Sequence, residues 1–200
     1  MRRIMRYLLN IFMFTLALSS NAWAVSQIEI LSNGGSAQFQ GYRFSPPYGN
    51  MTEAFVDLGE SLSSKIVRIT AKAGTQFRVN VQMESSLTIM NEGPHLDLVD
   101  WKHCTTEWRE AERITDSEFR IPVTEEIDQA CFQEISVAEI RDEVLKRGGT
   151  RWADLIKDDA SITDYPMALA LSSVTVKVEE LLEDGWTVVT IIRFSIPMGC

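Results

Sequence analysis

An alternation of apolar and polar residues between positions 67 and 90 limits the possible folds of this chain more than any other feature. Apolar side chains occupy every second position of residues 67–71 and again of residues 77–84. Because successive side chains of a strand point to opposite faces, this period predicts strands with one buried face. Ala73 and Gly74 separate the runs and predict a hairpin. Residues 87–90 predict a third strand, so the segment indicates an antiparallel meander.

The end of the chain predicts a second hairpin. Val174, Val176 and Val178 alternate with polar residues, Asp184-Gly185 is a strong hairpin turn, and residues 186–196 form the returning strand. The returning strand is apolar on both faces, which favours a central position in a sheet. Shorter strands are predicted at residues 27–31 and 118–123.

Helical signals are fewer. Ser136 and Glu139 form a capping box before an apolar stripe, which predicts a helix that ends at Gly148. Residues 151–156 predict a second short helix, and residues 51–62 a third, because Phe55, Leu58 and Leu62 have helical spacing. The fold class expected from the whole pattern is α+β: a mainly antiparallel β-sheet, with a meander and a C-terminal hairpin, and one or two short helices packed on it.

The first residues have the layout of a secretory signal peptide. Arg2, Arg3 and Arg6 precede the mostly apolar residues 7–18, and Ala22-Trp23-Ala24 matches a cleavage site. A membrane anchor is the alternative, but this run is short of the roughly 20 apolar residues that span a bilayer. We therefore expect residues 1–24 to be cleaved and residues 25–200 to form a single domain, periplasmic or secreted, that is not an integral membrane protein.

The chain is acidic, with a formal net charge of −9. Loss of the leader's three arginines would make the net charge about −12. This balance argues against nucleic acid as a partner, because phosphates require basic patches. It favours a protein partner that is basic, although the charge is also explained by solubility alone.

The three cysteines are Cys104, Cys131 and Cys200. In an oxidising compartment such residues predict a disulfide more readily than a metal site. Cys104–Cys131 is the preferred pair on grounds of locality, with Cys131–Cys200 as the alternative. Cys200 is then either free or available to link two chains as a homodimer.

The polar segment from His95 to Cys131 contains both histidines of the chain. His95, Asp97, His103 and Cys104 are acceptable metal ligands, but the two histidines would lie roughly 26 Å apart on a straight strand. The spacing also matches no zinc signature, so we predict no metal site and interpret the segment as a strand that leads into a charged, disulfide-tethered contact loop.

Motifs for nucleophilic catalysis are absent from the sequence. It contains no Gly-x-Ser-x-Gly, His-Glu-x-x-His or Ser-x-x-Lys, and no phosphate-binding glycine loop. We therefore predict no cofactor and regard enzymatic activity as uncertain, the absence of activity being favoured. A pair of catalytic carboxylates stays open, because the chain has 28 acidic residues.

Aromatic residues mark the candidate contact surface. Tyr42, Phe44 and Tyr48 lie in a loop at residues 41–49, and Trp108 lies in the polar segment. Large rings bury area at a small entropic cost, so these four residues are predicted to bind a partner. The alternative is that the loop's rings cover the core.

Three classes of function follow. The first is an exported binding or inhibitor-type protein of the cell envelope, such as an immunity protein or a hydrolase inhibitor. The second is a structural or assembly component of an envelope secretion or pilus-type machine, and the third is a small cell-wall hydrolase with a carboxylate pair. Export, acidity and the missing catalytic motifs favour the first class.

Overall fold

The computed structural model describes residues 24–31, 41–46, 49–123 and 129–198. The predicted signal peptide, apart from Ala24, lies outside these residues, as do Tyr48 and Cys200. The described strands are β1 Val25–Leu31, β2 Tyr42–Phe44, β3 Met51–Phe55, β4 Ile66–Ala71, β5 Phe77–Met90, β6 His95–Asp97, β7 Cys104–Thr105, β8 Arg109–Glu110, β9 Glu112–Arg113, β10 Glu118–Arg120, β11 Met167–Leu182 and β12 Gly185–Ser195. A 3-10 turn at Gln129–Phe132 and two α-helices, α1 Val137–Gly148 and α2 Thr150–Ala153, lie between β10 and β11.

The strands form two sheets. Sheet A has the order β2-β1-β4-β10-β9, and sheet B has the order β3-β12-β11-β5-β6, with β7 and β8 also paired to β5. The pairs in sheet A are antiparallel. In sheet B the pairs are antiparallel except that β3 runs parallel to β12. Sheet B is built around the long strands β5, β11 and β12.

The main core lies between the two sheets. Alternate residues of β5, β11 and β12 face those of β1, β4 and β10, as expected for strands with one covered face. The largest fully buried side chains of this core are Phe119, Phe194, Ile28, Ile30, Leu62 and Ile121.

A second core lies beneath the helices. Leu87 and Ile89, in the last part of β5, pack with Ile140 and Val144 of α1. The predicted capping box begins α1, because the Glu139 amide donates to the Ser136 hydroxyl at 3.3 Å and the Ser136 amide donates to the Glu139 carboxylate at 3.0 Å. One long sheet thus carries sheet A on one half and the helices on the other.

The predicted fold class is confirmed: the structure is mainly β and largely antiparallel, and its described residues include two short helices. The C-terminal hairpin is also confirmed, since β11 and β12 pair up to Leu182 and Gly185 at the turn. Its returning strand lies between β11 and β3, which is an interior position.

The predicted hairpin between residues 67–71 and 77–84 is wrong. The first run is β4 in sheet A, whereas the second belongs to β5 in sheet B. Alternation specifies which face of a strand is buried, but it does not determine which strand lies next to it in the sheet. Residues 87–90 are likewise no separate strand, because they continue β5 without a break.

The predicted helix at residues 51–62 is also wrong. Met51 to Phe55 form β3, and two members of the supposed apolar stripe are exposed, Phe55 at 74% and Leu58 at 63%. Only Leu62, 2% exposed, reaches the core. Pairing with β12 overrides the helical spacing, since hydrogen bonds to a neighbouring strand determine the conformation of a short segment whose helix propensity is weak.

Candidate functional site

Strand β3 forms one edge of sheet B. It is hydrogen-bonded to β12, and on its other side the described part of the chain places no strand. The Ile191 amide donates to the Asn50 carbonyl at 3.2 Å, and the Val56 amide donates to the Ser195 carbonyl at 3.0 Å. In a parallel ladder this pattern means that the backbone amides and carbonyls of the even-numbered residues of β3 are hydrogen-bonded to β12. The backbone groups of Met51, Glu53 and Phe55 therefore face away from the sheet.

The side chains of these three odd-numbered residues are exposed as well. Met51 is 58% and Phe55 74% exposed, and Glu53 between them is also exposed. We call Met51, Glu53 and Phe55 the β3 surface. Apolar side chains beside an open strand edge are uncommon, because proteins usually protect such edges with charge, proline or a bulge. Glu53 is the one charged side chain among the three.

Tyr42 contacts the end of this edge at Phe55. Its hydroxyl donates to the Phe55 carbonyl at 2.8 Å, and its ring packs edge-on against Phe194, 5.1 Å between centroids. Burial and the nearby Asp57 carboxylate raise the pKa of Tyr42. Phe44 also packs edge-on against Phe194, at 5.9 Å. Tyr42 and Phe44 lie in β2, so the predicted loop at residues 41–49 is wrong for residues 42–44. Their rings lie half-buried against the core, as the alternative interpretation expected, and a role in binding stays a prediction for both.

A cluster of charged side chains lies on the face of sheet B that points away from sheet A. Arg78 donates from Nε and Nη2 to the Glu179 carboxylate, at 2.9 and 3.1 Å, and Asn80 donates to it at 2.7 Å. The Lys177 ammonium lies 3.7 Å from the same carboxylate. Burial acts to raise the pKa of Glu179, but Arg78 and Lys177 outweigh it and hold that pKa below the ordinary value.

Two tryptophans flank this cluster. Trp108, one of the predicted contact residues, is 37% exposed and has the Lys177 ammonium 4.5 Å from its ring centroid. Trp186 is 38% exposed and stacks with the Arg78 guanidinium at 4.6 Å. These are cation–π distances. Trp186 was not predicted as a contact residue from the sequence, although its position directly after the Asp184-Gly185 turn places it at the turn end of a hairpin.

A second carboxylate on this face, Glu84, is held by Arg193 at 3.1 Å and faces His103 at 3.7 Å. Glu84 and Glu179 do not form a glycosidase pair. Glu179 is in register with Arg78, six residues from Glu84 along β5, a separation of about 20 Å at the rise of a strand. Hydrolysis of a glycosidic bond requires about 5–9.5 Å between the two carboxyl groups.

The other residues weighed as metal ligands lie in separate interactions. Asp97 accepts a hydrogen bond from the Thr88 hydroxyl at 2.6 Å, and Cys104 is bonded to Cys131. Over the described ranges, no group of three or more His, Cys, Asp or Glu side chains is placed to hold a metal ion.

The predicted Cys104–Cys131 disulfide is present, with Cα atoms 5.9 Å apart, which is within the usual range. It joins β7, paired to β5, to the 3-10 turn that contains the buried Phe132.

Phe132 also lines a cavity of about 470 Å³ together with Ser136 and Ile162. The Ser136 hydroxyl is already used in the capping box.

Comparisons with known proteins give no relative: no protein-family model, no curated protein and no solved structure matches the chain. None of the helices within the described residues is long and apolar enough to cross a membrane.

Proposed function

We propose that this protein is an exported binding protein of the cell envelope, of the inhibitor or immunity type, which acts by contact between the β3 surface and a protein partner. The observation that carries the proposal is the exposure of Met51 and Phe55 beside backbone groups that face away from the sheet. Such a surface supplies apolar area and, apart from the Phe55 carbonyl that accepts the Tyr42 hydroxyl, outward-facing backbone groups to which a partner can hydrogen-bond.

The surroundings support a contact role over a catalytic one. Glu84 and Glu179 are both held in ion pairs, and the low pKa of Glu179 keeps its carboxylate ionised, so it is unsuited to act as a general acid at neutral pH. Trp108, Trp186 and Arg78 on the same sheet are of the residue types enriched at binding hot spots.

Export is the second part of the proposal and rests on the leader sequence. Cleavage after Ala24 predicts a mature protein that begins at Val25. Mass spectrometry of the protein from the cell envelope tests this, and a chain that retains Met1 in the cytoplasm would contradict it. A disulfide between Cys104 and Cys131 is expected in an oxidising compartment.

Photo-crosslinking tests the contact. A photoreactive amino acid replaces Phe55 in one variant and Leu145 of α1, also exposed at 46%, in the control. In the native host we expect one discrete adduct from position 55 and none from position 145. Excess wild-type protein should compete the adduct away, whereas excess Phe55→Ser protein should not. Equal adducts from both positions, or none from position 55, would contradict the proposal.

A further inference from the structure

We propose that the partner adds a strand to the open edge of β3, and that this strand is an extended, basic segment with Lys or Arg opposite Glu53. The inference rests on the proposed function and specifies how the β3 surface is used. The partner segment would form main-chain hydrogen bonds with Met51, Glu53 and Phe55.

The backbone geometry provides the first support. Because the even-numbered residues of β3 bond to β12, the outward amides and carbonyls are those of Met51, Glu53 and Phe55. The Phe55 carbonyl already accepts the Tyr42 hydroxyl, which fixes the end of the strand. An antiparallel segment would exchange both hydrogen bonds with each residue directly opposite these three, and a parallel segment would use the residues on either side.

Charge identifies the occupant. Glu53 is exposed between two apolar side chains, and Asp57, just beyond the strand, is exposed too. Arg193 is in register with Glu53 but is paired with Glu84 at 3.1 Å, and within the described residues no ion pair involves Glu53. A cation opposite Glu53 would form a favourable cross-strand pair, with apolar residues opposite Met51 and Phe55.

The same charge argues against a second copy of this chain. Pairing of two β3 strands about a two-fold axis, in the register that aligns all of residues 51–55, would put Glu53 opposite Glu53, and like charges directly opposite destabilise a sheet. The formal net charge of −9 adds a long-range repulsion between copies.

The test uses a labelled peptide, Thr-Ile-Thr-Lys-Thr-Ile-Thr, which places Ile, Lys and Ile on one face. Its affinity for the mature protein is compared with that of the same peptide with Glu in place of Lys. We expect the Lys peptide to bind about tenfold more tightly. Two further Lys peptides carry N-methyl groups either on the Ile and Lys amides or on the Thr amides. One of these two sets should abolish binding and the other should not, since only one edge of the peptide donates to β3.

A matched pair of variants tests the protein side. Glu53→Pro removes an amide that faces the open edge and leaves the bonds to β12 intact, whereas Glu53→Ala removes the carboxylate side chain and keeps that amide. We expect Glu53→Pro to bind the Lys peptide about tenfold more weakly than Glu53→Ala does. Circular dichroism checks that both variants fold, and the N-methyl peptides decide the question if Glu53→Pro does not.

The proposal is overturned if both N-methylated peptides bind as the unmodified peptide does, if folded Glu53→Pro and Glu53→Ala bind equally, or if no binding is seen at about 1 mM peptide. A partner crosslinked from position 55 together with any of these results would leave the proposed function standing and remove strand addition alone. Absence of a crosslinked partner would remove the proposed function itself.

Discussion

The Arg78 guanidinium donates two hydrogen bonds to the Glu179 carboxylate, across the neighbouring strands β5 and β11. The two donor–acceptor distances are 2.9 and 3.1 Å, and the Glu179 side chain is 6% exposed. This pair holds the two central strands of sheet B together on the face opposite the core. It also neutralises a carboxylate that would otherwise be costly to bury.

Glu179→Gln is therefore expected to lower the free energy of unfolding by about 2 kcal/mol at neutral pH, the value of a hydrogen bond to a charged group. Because the pKa of Glu179 is lowered in the folded protein, its contribution is present above the unfolded pKa of about 4.3 and is lost as the pH falls through the folded pKa. The difference between wild type and variant should be constant above about pH 5 and shrink in acid. Denaturant titrations at several pH values measure it, with the exposed Glu183→Gln as control.

The disulfide is expected to stabilise the fold by about 3–4 kcal/mol, because it closes a loop of 27 residues in the unfolded chain. The double variant Cys104→Ser with Cys131→Ser should lose this amount in denaturant titrations. A reducing agent should destabilise the wild type similarly and leave the double variant unchanged. Equal sensitivity of both proteins to reduction would show that the bond contributes nothing.

Substitutions of two phenylalanines, one on the exposed edge and one in the core, should differ strongly in their effect on the free energy of unfolding. Phe55→Ser is expected to change the free energy of unfolding by less than about 0.5 kcal/mol, since the side chain is 74% exposed. Phe194→Ala, at a residue that is 0% exposed, should cost about 3–5 kcal/mol. A large loss for Phe55→Ser in thermal or denaturant unfolding would mean that this ring is buried.

Tyr42→Phe should remove the hydrogen bond to the Phe55 carbonyl and cost about 1 kcal/mol. Because the pKa of Tyr42 is raised by burial and by Asp57, its contribution is present below about pH 10 and is lost as the pH rises through the folded pKa. An ultraviolet titration of the phenols should show one group that ionises late in the wild type and is missing in Tyr42→Phe. A wild-type titration in which every tyrosine ionises at the ordinary pKa would refute this assignment.

The sequence predicts those parts of the fold whose signals are local. The capping box at Ser136 and Glu139 defines the start of α1, and the Asp184-Gly185 turn defines the C-terminal hairpin. The face of each strand follows from alternation, as the burial of Phe77, Val79 and Val81 shows. The disulfide is also predicted correctly, from compartment and locality.

The sequence does not indicate which distant strands are neighbours in a sheet. Nothing in residues 51–55 indicates that they run parallel to a strand that ends about 140 residues later, and their apolar spacing fits a helix equally well. The sequence therefore does not predict the β3 surface as a site, whereas the aromatic character of Tyr42, which contacts Phe55 of that surface, predicts a contact residue. Glu179 and Arg78 meet only because β5 and β11 are neighbours.

Residue-resolved amide hydrogen exchange tests the central claim, that β3 has an open edge to which a partner binds. In the free protein the amides of Met51, Glu53 and Phe55 should exchange rapidly, while those of Thr52, Ala54 and Val56 are protected by β12. The crosslinked partner, once isolated, should slow the three rapid amides by about tenfold or more. If Met51, Glu53 and Phe55 are already protected in the free protein, or if the partner leaves them unchanged, the account of this edge is contradicted.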